Sequence, residues 1–342
     1  MYSIRGIVVI TFIFSTMVLS QDTPYKFSGL MFGDYYWIES HHDSAIVGSN
    51  GFWFRRIYFT YEHTINETFS TCMRLEMASA GDFSTTSVAL IPFIKDAYLK
   101  WNINNNNQML LGISQPPTLT VIEKIWGYRF VEKTPLDLQR WAPSRDFGIA
   151  LSGNLNTWQN LKYHFMLANG SGNKSEVNKG KKILISLGYY LTENIILEVY
   201  GDWNDNPGST DFFTYQGFAG YASARVRIGL QYAHQTRKVV QGGDEQLDLA
   251  SVFLILKLST KMVLITRFDR MFAPNSLAAD QQYIPFDPTA KSTLFIAGVD
   301  YSPLKNIHIS PNIEIVYYDK NVEGIRPDKD IIPRITFYYK FE

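Results

Sequence analysis

One cysteine stands in a chain of 342 residues, and that lone thiol, Cys72, excludes both an internal disulfide and a cysteine-based metal cluster. Excess charge of either sign is missing too. Thirty-two basic and 32 acidic residues cancel, so the chain lacks the basic surplus that nucleic-acid binding needs, and no nucleic-acid partner is expected. No apolar run of 18 residues follows Gln21, so no membrane-spanning helix is expected. The mean hydropathy of −0.11 is far below that of a helical membrane protein.

A catalytic spacing is likewise missing. His63, His164, His234 and His308 fall on different predicted strands or strand ends. None is spaced with Ser and Asp as a nucleophile, base and orienting group would be. No catalytic residue is assigned, and an enzyme is not expected. The nearest approach to a metal-ligand pattern is His41-His42-Asp43. Adjacent histidines rarely converge on one ion, so this run reads as a solvated loop, and neither a metal nor another cofactor is expected.

Alternation is what the chain has in abundance. From Tyr25 onward, sixteen short segments alternate apolar and polar residues with period two, the mark of half-buried strands. The predicted strands are 26–38, 52–63, 68–79, 93–103, 108–115, 145–154, 158–168 and 181–191. They continue at 194–203, 211–222, 224–236, 247–258, 261–271, 292–302, 306–319 and 330–341. Seven short turns alternate with eight long connections, near 39–51, 80–92, 116–144, 169–180, 204–210, 237–246, 272–291 and 320–329. Outer-membrane barrels alternate short periplasmic turns with longer outer loops in this way. The fold expected is an all-β, antiparallel, up-and-down transmembrane barrel of 16 strands in the bacterial outer membrane. Aromatic residues, 15% of the chain with 21 Tyr and 7 Trp, suit the lipid–water boundary, so outer-membrane lipid and lipopolysaccharide are expected partners. Residues 1–20 read as a signal peptide: Arg5 precedes a 14-residue apolar stretch, and Val18-Leu19-Ser20 supplies small-residue cleavage. Residues 21–342 are then the barrel domain.

Alternation also assigns faces. In the last strand Ile335, Phe337, Tyr339 and Phe341 share one side, and Arg334, Thr336, Tyr338 and Lys340 the other. In a single closed sheet the apolar side must meet lipid and the charged side water. The predicted pore-lining residues are Arg56, Arg74, Lys100, Arg225, Arg227, Arg267 and Arg334. With Lys340 they face seven inward acids: Glu62, Glu76, Asp96, Glu198, Asp202, Asp269 and Glu314. Cys72 falls on the inward side as a small filler. Strands eight and twelve are apolar on both faces, which leaves their register open.

The third long connection, 116–144, breaks the pattern. Thr120 and Glu123 have capping-box spacing, Ile122, Ile125 and Trp126 follow at helical spacing, and Pro135 limits the helix to about Lys133. With Phe130 these side chains would form an exposed apolar patch in water. The expectation is a partly helical loop folded into the barrel, with Glu123, Lys124, Arg129, Glu132, Lys133 and Arg140 at the constriction.

Several short motifs occur in series. They are Phe54-Arg55-Arg56, Lys95-Asp96-Ala97-Tyr98-Leu99, Leu111-Gly112-Ile113-Ser114-Gln115-Pro116 and Ser144-Arg145-Asp146-Phe147-Gly148-Ile149. Ala297-Gly298-Val299-Asp300-Tyr301-Ser302-Pro303 and Ile309-Ser310-Pro311-Asn312 complete it. The series resembles the phosphate-selective porin O and P family over most of residues 21–342. The resemblance implies a sixteen-stranded channel, a homotrimer, and an inward third loop. The chain departs from that family in its nearly balanced inward charge and in Glu342 after the terminal aromatic Phe341. The function expected is passive diffusion of small hydrophilic solutes through a water-filled pore at most mildly favouring anions, phosphate-like ones among them. The alternative is a non-conducting structural or adhesive barrel.

Overall fold

The computed structural model describes residues 24–83, 90–155, 158–208, 210–240 and 243–342. The leader expected at 1–20 lies outside them. Sixteen strands follow in chain order: β1 (Tyr25–Trp37), β2 (Asn50–Thr64), β3 (Phe69–Met77), β4 (Phe93–Asn104), β5 (Asn107–Ser114), β6 (Asp146–Leu155), β7 (Trp158–Ala168) and β8 (Lys182–Tyr190). Then come β9 (Ile195–Asn204), β10 (Phe212–Ala222), β11 (Val226–Arg237), β12 (Glu245–Lys257), β13 (Met262–Met271), β14 (Ser292–Leu304), β15 (Ile307–Tyr318) and β16 (Asp330–Phe341). Every strand end falls within two residues of its predicted place.

Each strand pairs antiparallel with its chain neighbours, and β1 closes the cylinder against β16, with Gly29 opposite Phe341 and Tyr36 opposite Arg334. Closure satisfies the backbone groups that lipid cannot hydrogen-bond. The faces follow the alternation. On β9, Leu197 and Val199 are 46% and 61% exposed, whereas Glu198 and Tyr200, which alternate with them, are 2% and 4% exposed. On β16, Ile335, Tyr339 and Phe341 point outward while Arg334 and Thr336 are buried. A closed barrel with an apolar outer wall and a charged interior is an outer-membrane barrel.

The open register of β8 and β12 resolves through the interior. Ile183, Ile185 and Val252 face out, and Leu184, Phe253 and Ile255 face in and are buried. The inner face of β12 is apolar because protein covers it, whereas that of β8 is mixed, with Leu184 between Lys182 and Ser186. A cluster inside the barrel joins Ile122, Ile125, Trp126, Tyr128 and Phe130 of the third long connection to Ile196, Phe218, Phe253, Ile255 and Ile265 of the wall. The core of this barrel therefore sits within its lumen, on one side.

Candidate functional site: a divided lumen

The third connection forms α1 (Pro117–Trp126) and α2 (Pro135–Leu138). The helix α1 starts three residues before the capping-box Thr. Pro117 occupies its first position, where a missing N–H costs nothing, and Pro116 is the N-cap with no side-chain cap bond. Thr120 instead bonds back to the Pro116 carbonyl at 3.2 Å, and Glu123 accepts from Gln115 at 2.7 Å. The helix ends at Trp126 rather than near Lys133, because Gly127 adopts a left-handed conformation (φ 66°). A Cβ at Gly127 would also lie 2.1 Å from the Arg227 guanidinium.

The apolar face of α1 lies on the inner wall from β7 to β11, and Trp126 reaches Phe253 on β12 with ring centroids 5.2 Å apart. Burying each such side chain contributes about 1.5–3 kcal/mol. Arginines from the wall then clamp the segment after α1. Arg55 donates to the Val131 carbonyl at 2.6 Å and pairs with Glu132. Arg267 donates to the Lys133 carbonyl and holds Asp269 at 2.9 Å. Arg334 contacts Glu314 at 3.0 Å, Asp34 at 3.1 Å and the Tyr283 carbonyl at 2.5 Å. Tyr283 belongs to a second inward segment, the connection 272–291, whose Tyr283 and Phe286 are fully buried. Tyr283 donates to the Ser79 carbonyl at 2.7 Å, and Asn275 donates to the Gln139 carbonyl at 2.8 Å.

The opposite side of the lumen is open. A cavity of about 1130 Å³ reaches from the short turns at Thr68 and Asn104 up to Lys124 and Arg145. A second, of about 340 Å³, opens at the long-connection end among Ala78, Pro143 and Gly172. Arg145 lines both. Counting it once, the two cavities present seven basic side chains: Arg56, Arg74, Lys95, Lys100, Lys124, Arg145 and Lys162. They present three acidic ones, Glu67, Glu76 and Asp96. Arg74 pairs with Asp96 at 3.0 Å, and Arg145 contacts the same carboxylate. Arg56 and Lys95 share Glu76 at 2.6 and 2.8 Å.

Two β-bulges concentrate this charge. The register slips between Arg56 opposite Phe32 and Phe54 opposite Gly33, so Arg55 is the extra residue on β2. It slips again between Arg74 opposite Asp96 and Leu75 opposite Ile94, which leaves Lys95 as the extra residue on β4. A bulge re-aims one side chain, so Arg55 and Arg56, and likewise Lys95 and Asp96, both point inward and are buried.

On the loop side Arg129 bridges Glu123 at 3.3 Å and Asp137 at 2.8 Å. Burial raises the pKa of Glu123. Burial works against the charge of Asp137 as well, but Arg129 and Lys133 outweigh it and hold its pKa low. Burial pulls Lys133 down to about 7.

The expected pore-lining residues therefore separate. Arg56, Arg74 and Lys100 line the open side. Arg267 and Arg334 are buried beneath the inward loops. Arg227 lies over the Tyr128 ring at 5.4 Å, and Arg225 is exposed in the turn before β11 rather than inside that strand. Of the expected constriction residues, Lys124 lines the larger cavity, Glu123 and Arg129 are partly exposed beside it, and Glu132 and Lys133 are buried clamp residues. Arg140 is exposed and pairs with Asp280 at 3.4 Å.

Strict alternation missed Arg55, Lys95 and Arg145. The signal was consecutive charge: Arg55-Arg56 and Lys95-Asp96 within strands, and Arg145-Asp146 at a strand start. One member of each in-strand pair would otherwise face lipid, at about 2–4 kcal/mol for Arg or Lys near the midplane.

No family model and no curated protein matches the chain by sequence. Solved structures match its fold. An anion-selective porin from Comamonas acidovorans superposes with a TM-score of 0.66 at 12% identity, covering 93% of this chain and 99% of that one. The outer membrane channel DcaP of Acinetobacter baumannii gives 0.65 at 12%, covering 93% and 97%. OmpT of Vibrio cholerae in its trimer form gives 0.62 at 12%, covering 93% and 99%. The chain has the sixteen-stranded fold of outer-membrane porins.

Proposed function

We propose that the protein is a passive-diffusion porin whose aqueous path runs along the β2–β9 side of the lumen and favours small anions. The observation that carries this reading is the seven-to-three basic excess of the two open cavities, which meet at Arg145. Pore selectivity follows the charge at the narrowest part. Arg74 and Arg145 converge on Asp96 where the two cavities meet, and guanidinium forks match carboxylate and phosphate oxygens. The nearly even charge over all inward residues conceals this excess, because it also counts acids of the closed side such as Asp269 and Glu314, which are paired with buried arginines. The anion-selective neighbour and the trimeric neighbour support the same reading, with a homotrimer as the assembly. The motif resemblance supports phosphate-like anions as solutes to test.

The test is the reversal potential in a salt gradient across planar bilayers. Wild-type protein gives open channels with anion preference, and Arg145→Glu moves the potential toward cations while the folded barrel remains. A wild-type reversal potential indifferent to Arg145→Glu overturns the proposed path. Absence of conductance leaves the structural or adhesive reading.

A further inference from the structure

The first long connection and the start of β16 bring together two adjacent histidines and an aspartate 288 positions beyond the second of them. Their backbones are held first. Ser40 and Ile331 form an isolated bridge, with Ile331 N–H donating to the Ser40 carbonyl at 2.9 Å. The Ser40 hydroxyl donates to the Lys329 carbonyl at 2.7 Å. This places His41 and His42 against Asp330, and one ligand atom from each of the three lies within 4.8 Å of the others. Asp43, the sequence neighbour, turns away and caps Ala45.

The details suit an ion. His41 is 3% exposed, and its Nε2 has no hydrogen-bond partner yet lies 3.9 Å from Asp330 Oδ2. A buried, unpartnered ring nitrogen aimed at a carboxylate is an unmet demand. His42 Nδ1 sits 3.0 and 3.2 Å from the two Asp330 oxygens. The Tyr318 hydroxyl donates to Asp330 Oδ2 at 2.5 Å and the His42 amide to Oδ1 at 2.7 Å, which fixes the carboxylate as outer partners of a metal ligand do.

We propose that His41, His42 and Asp330 bind a first-row divalent transition ion such as Zn²⁺, which staples the first long loop to β16 beside the β1–β16 seam. Two imidazoles and one carboxylate suit Zn²⁺, Co²⁺, Ni²⁺ or Cu²⁺. Ca²⁺ and Mg²⁺ take oxygen ligands instead. His42 is part-exposed and opens a path for the ion. Coordination through His42 Nδ1 and His41 Nε2 puts the ring hydrogen on Nε2 of His42 and on Nδ1 of His41, which displaces the Asp43 amide that donates to His41 Nδ1 at 3.0 Å.

The experiment is a Co²⁺ titration of the full-length, refolded protein in chelator-treated detergent, read by visible d–d absorption with Zn²⁺ and Mg²⁺ as competitors. One Co²⁺ per chain is expected, displaced by Zn²⁺ and not by Mg²⁺. Its dissociation constant rises at least about tenfold in His41→Ala and in His42→Gln, and stays put in His234→Ala. If His41→Ala fails to fold, His42→Gln carries the test alone, since that side chain is part-exposed. Absence of stoichiometric Co²⁺ binding, or binding unchanged in the histidine variants, overturns the site.

Discussion

The half of the lumen behind the third loop and the half in front of it use the same residue types under different solvation. Behind the loop, the Arg334 and Arg267 side chains are fully buried, and each meets at least one carboxylate and one loop carbonyl. In front, the Arg74 side chain is 30% exposed and faces a cavity of about 1130 Å³. Desolvation makes the first set structural, because a buried ion without its partner is intolerable. Partial solvation frees Arg74 to meet a passing solute, because Arg145 also holds its partner Asp96 and a part-wet pair is worth at most about 1 kcal/mol. A tally of inward charges merges these two populations and returns near-neutrality for a passage that is basic.

The sharpest way to break this contrast is Arg334→Ala. It strands Asp34 and Glu314 among buried groups and is expected to cost about 3–5 kcal/mol. Arg74→Ala is expected to cost less than about 1 kcal/mol. Urea unfolding of the detergent-solubilised barrel, followed by tryptophan fluorescence, reads both. Equal costs for the two arginines would end the division of the lumen into a structural and a conducting side.

Trp126→Ala comes next. It removes the ring that α1 lays on Phe253 and the indole N–H that donates to the Glu132 carbonyl at 2.9 Å. The expected cost is about 3 kcal/mol. The loosened loop should raise single-channel conductance and its noise. Unchanged conductance would mean that α1 does not border the path.

Lys133 sharpens the comparison through pH. Its pKa falls from an ordinary 10.5 to about 7, with burial the largest cause. Between those values the unfolded chain binds a proton that the folded protein refuses, so this group makes stability rise with pH across that window. Below about 7 the cost of the buried charge is complete and no longer changes. Lys133→Met should therefore stabilise the barrel at pH 6 by about 1–3 kcal/mol, with the gain shrinking toward pH 10. A gain that is flat over this range would place the Lys133 ammonium in water, on the conducting side.

Much of this architecture was legible because lipid enforces alternation: one face of every strand is dictated by solvent. Strand ends fell within two residues, and the inward third loop followed from Ile122, Ile125 and Trp126. What escaped were departures from period two. Arg55 and Lys95 enter through bulges, which alternation cannot express. β12 looked ambiguous because inward Phe253 and Ile255 meet the third loop rather than water, whereas inward Ser186 and Gly188 of β8 line the larger cavity. Asp330 joins His41 and His42 only through tertiary closure of the barrel, which no local pattern encodes. The inward folding of 272–291 left no helical stripe to read. Its Tyr283 takes a positive φ of 73°, and a Cβ at Gly81 would lie 2.5 Å from that ring.

The smallest expected effect is the most discriminating for the path. Alternation placed Arg225 with Arg227 among the pore-lining residues. In the structure Arg225 is exposed in the turn before β11, and α1 with its apolar cluster fills the barrel between that wall and the open cavities. Interactions of an exposed rim charge are largely screened by physiological salt beyond about 8 Å. Arg225→Glu should therefore leave reversal potential and stability nearly unchanged, whereas Arg145→Glu shifts the potential toward cations. A shift of equal size in both variants would mean that solute passes the β10–β11 side as well, and that the loop divides the lumen less completely than its packing indicates.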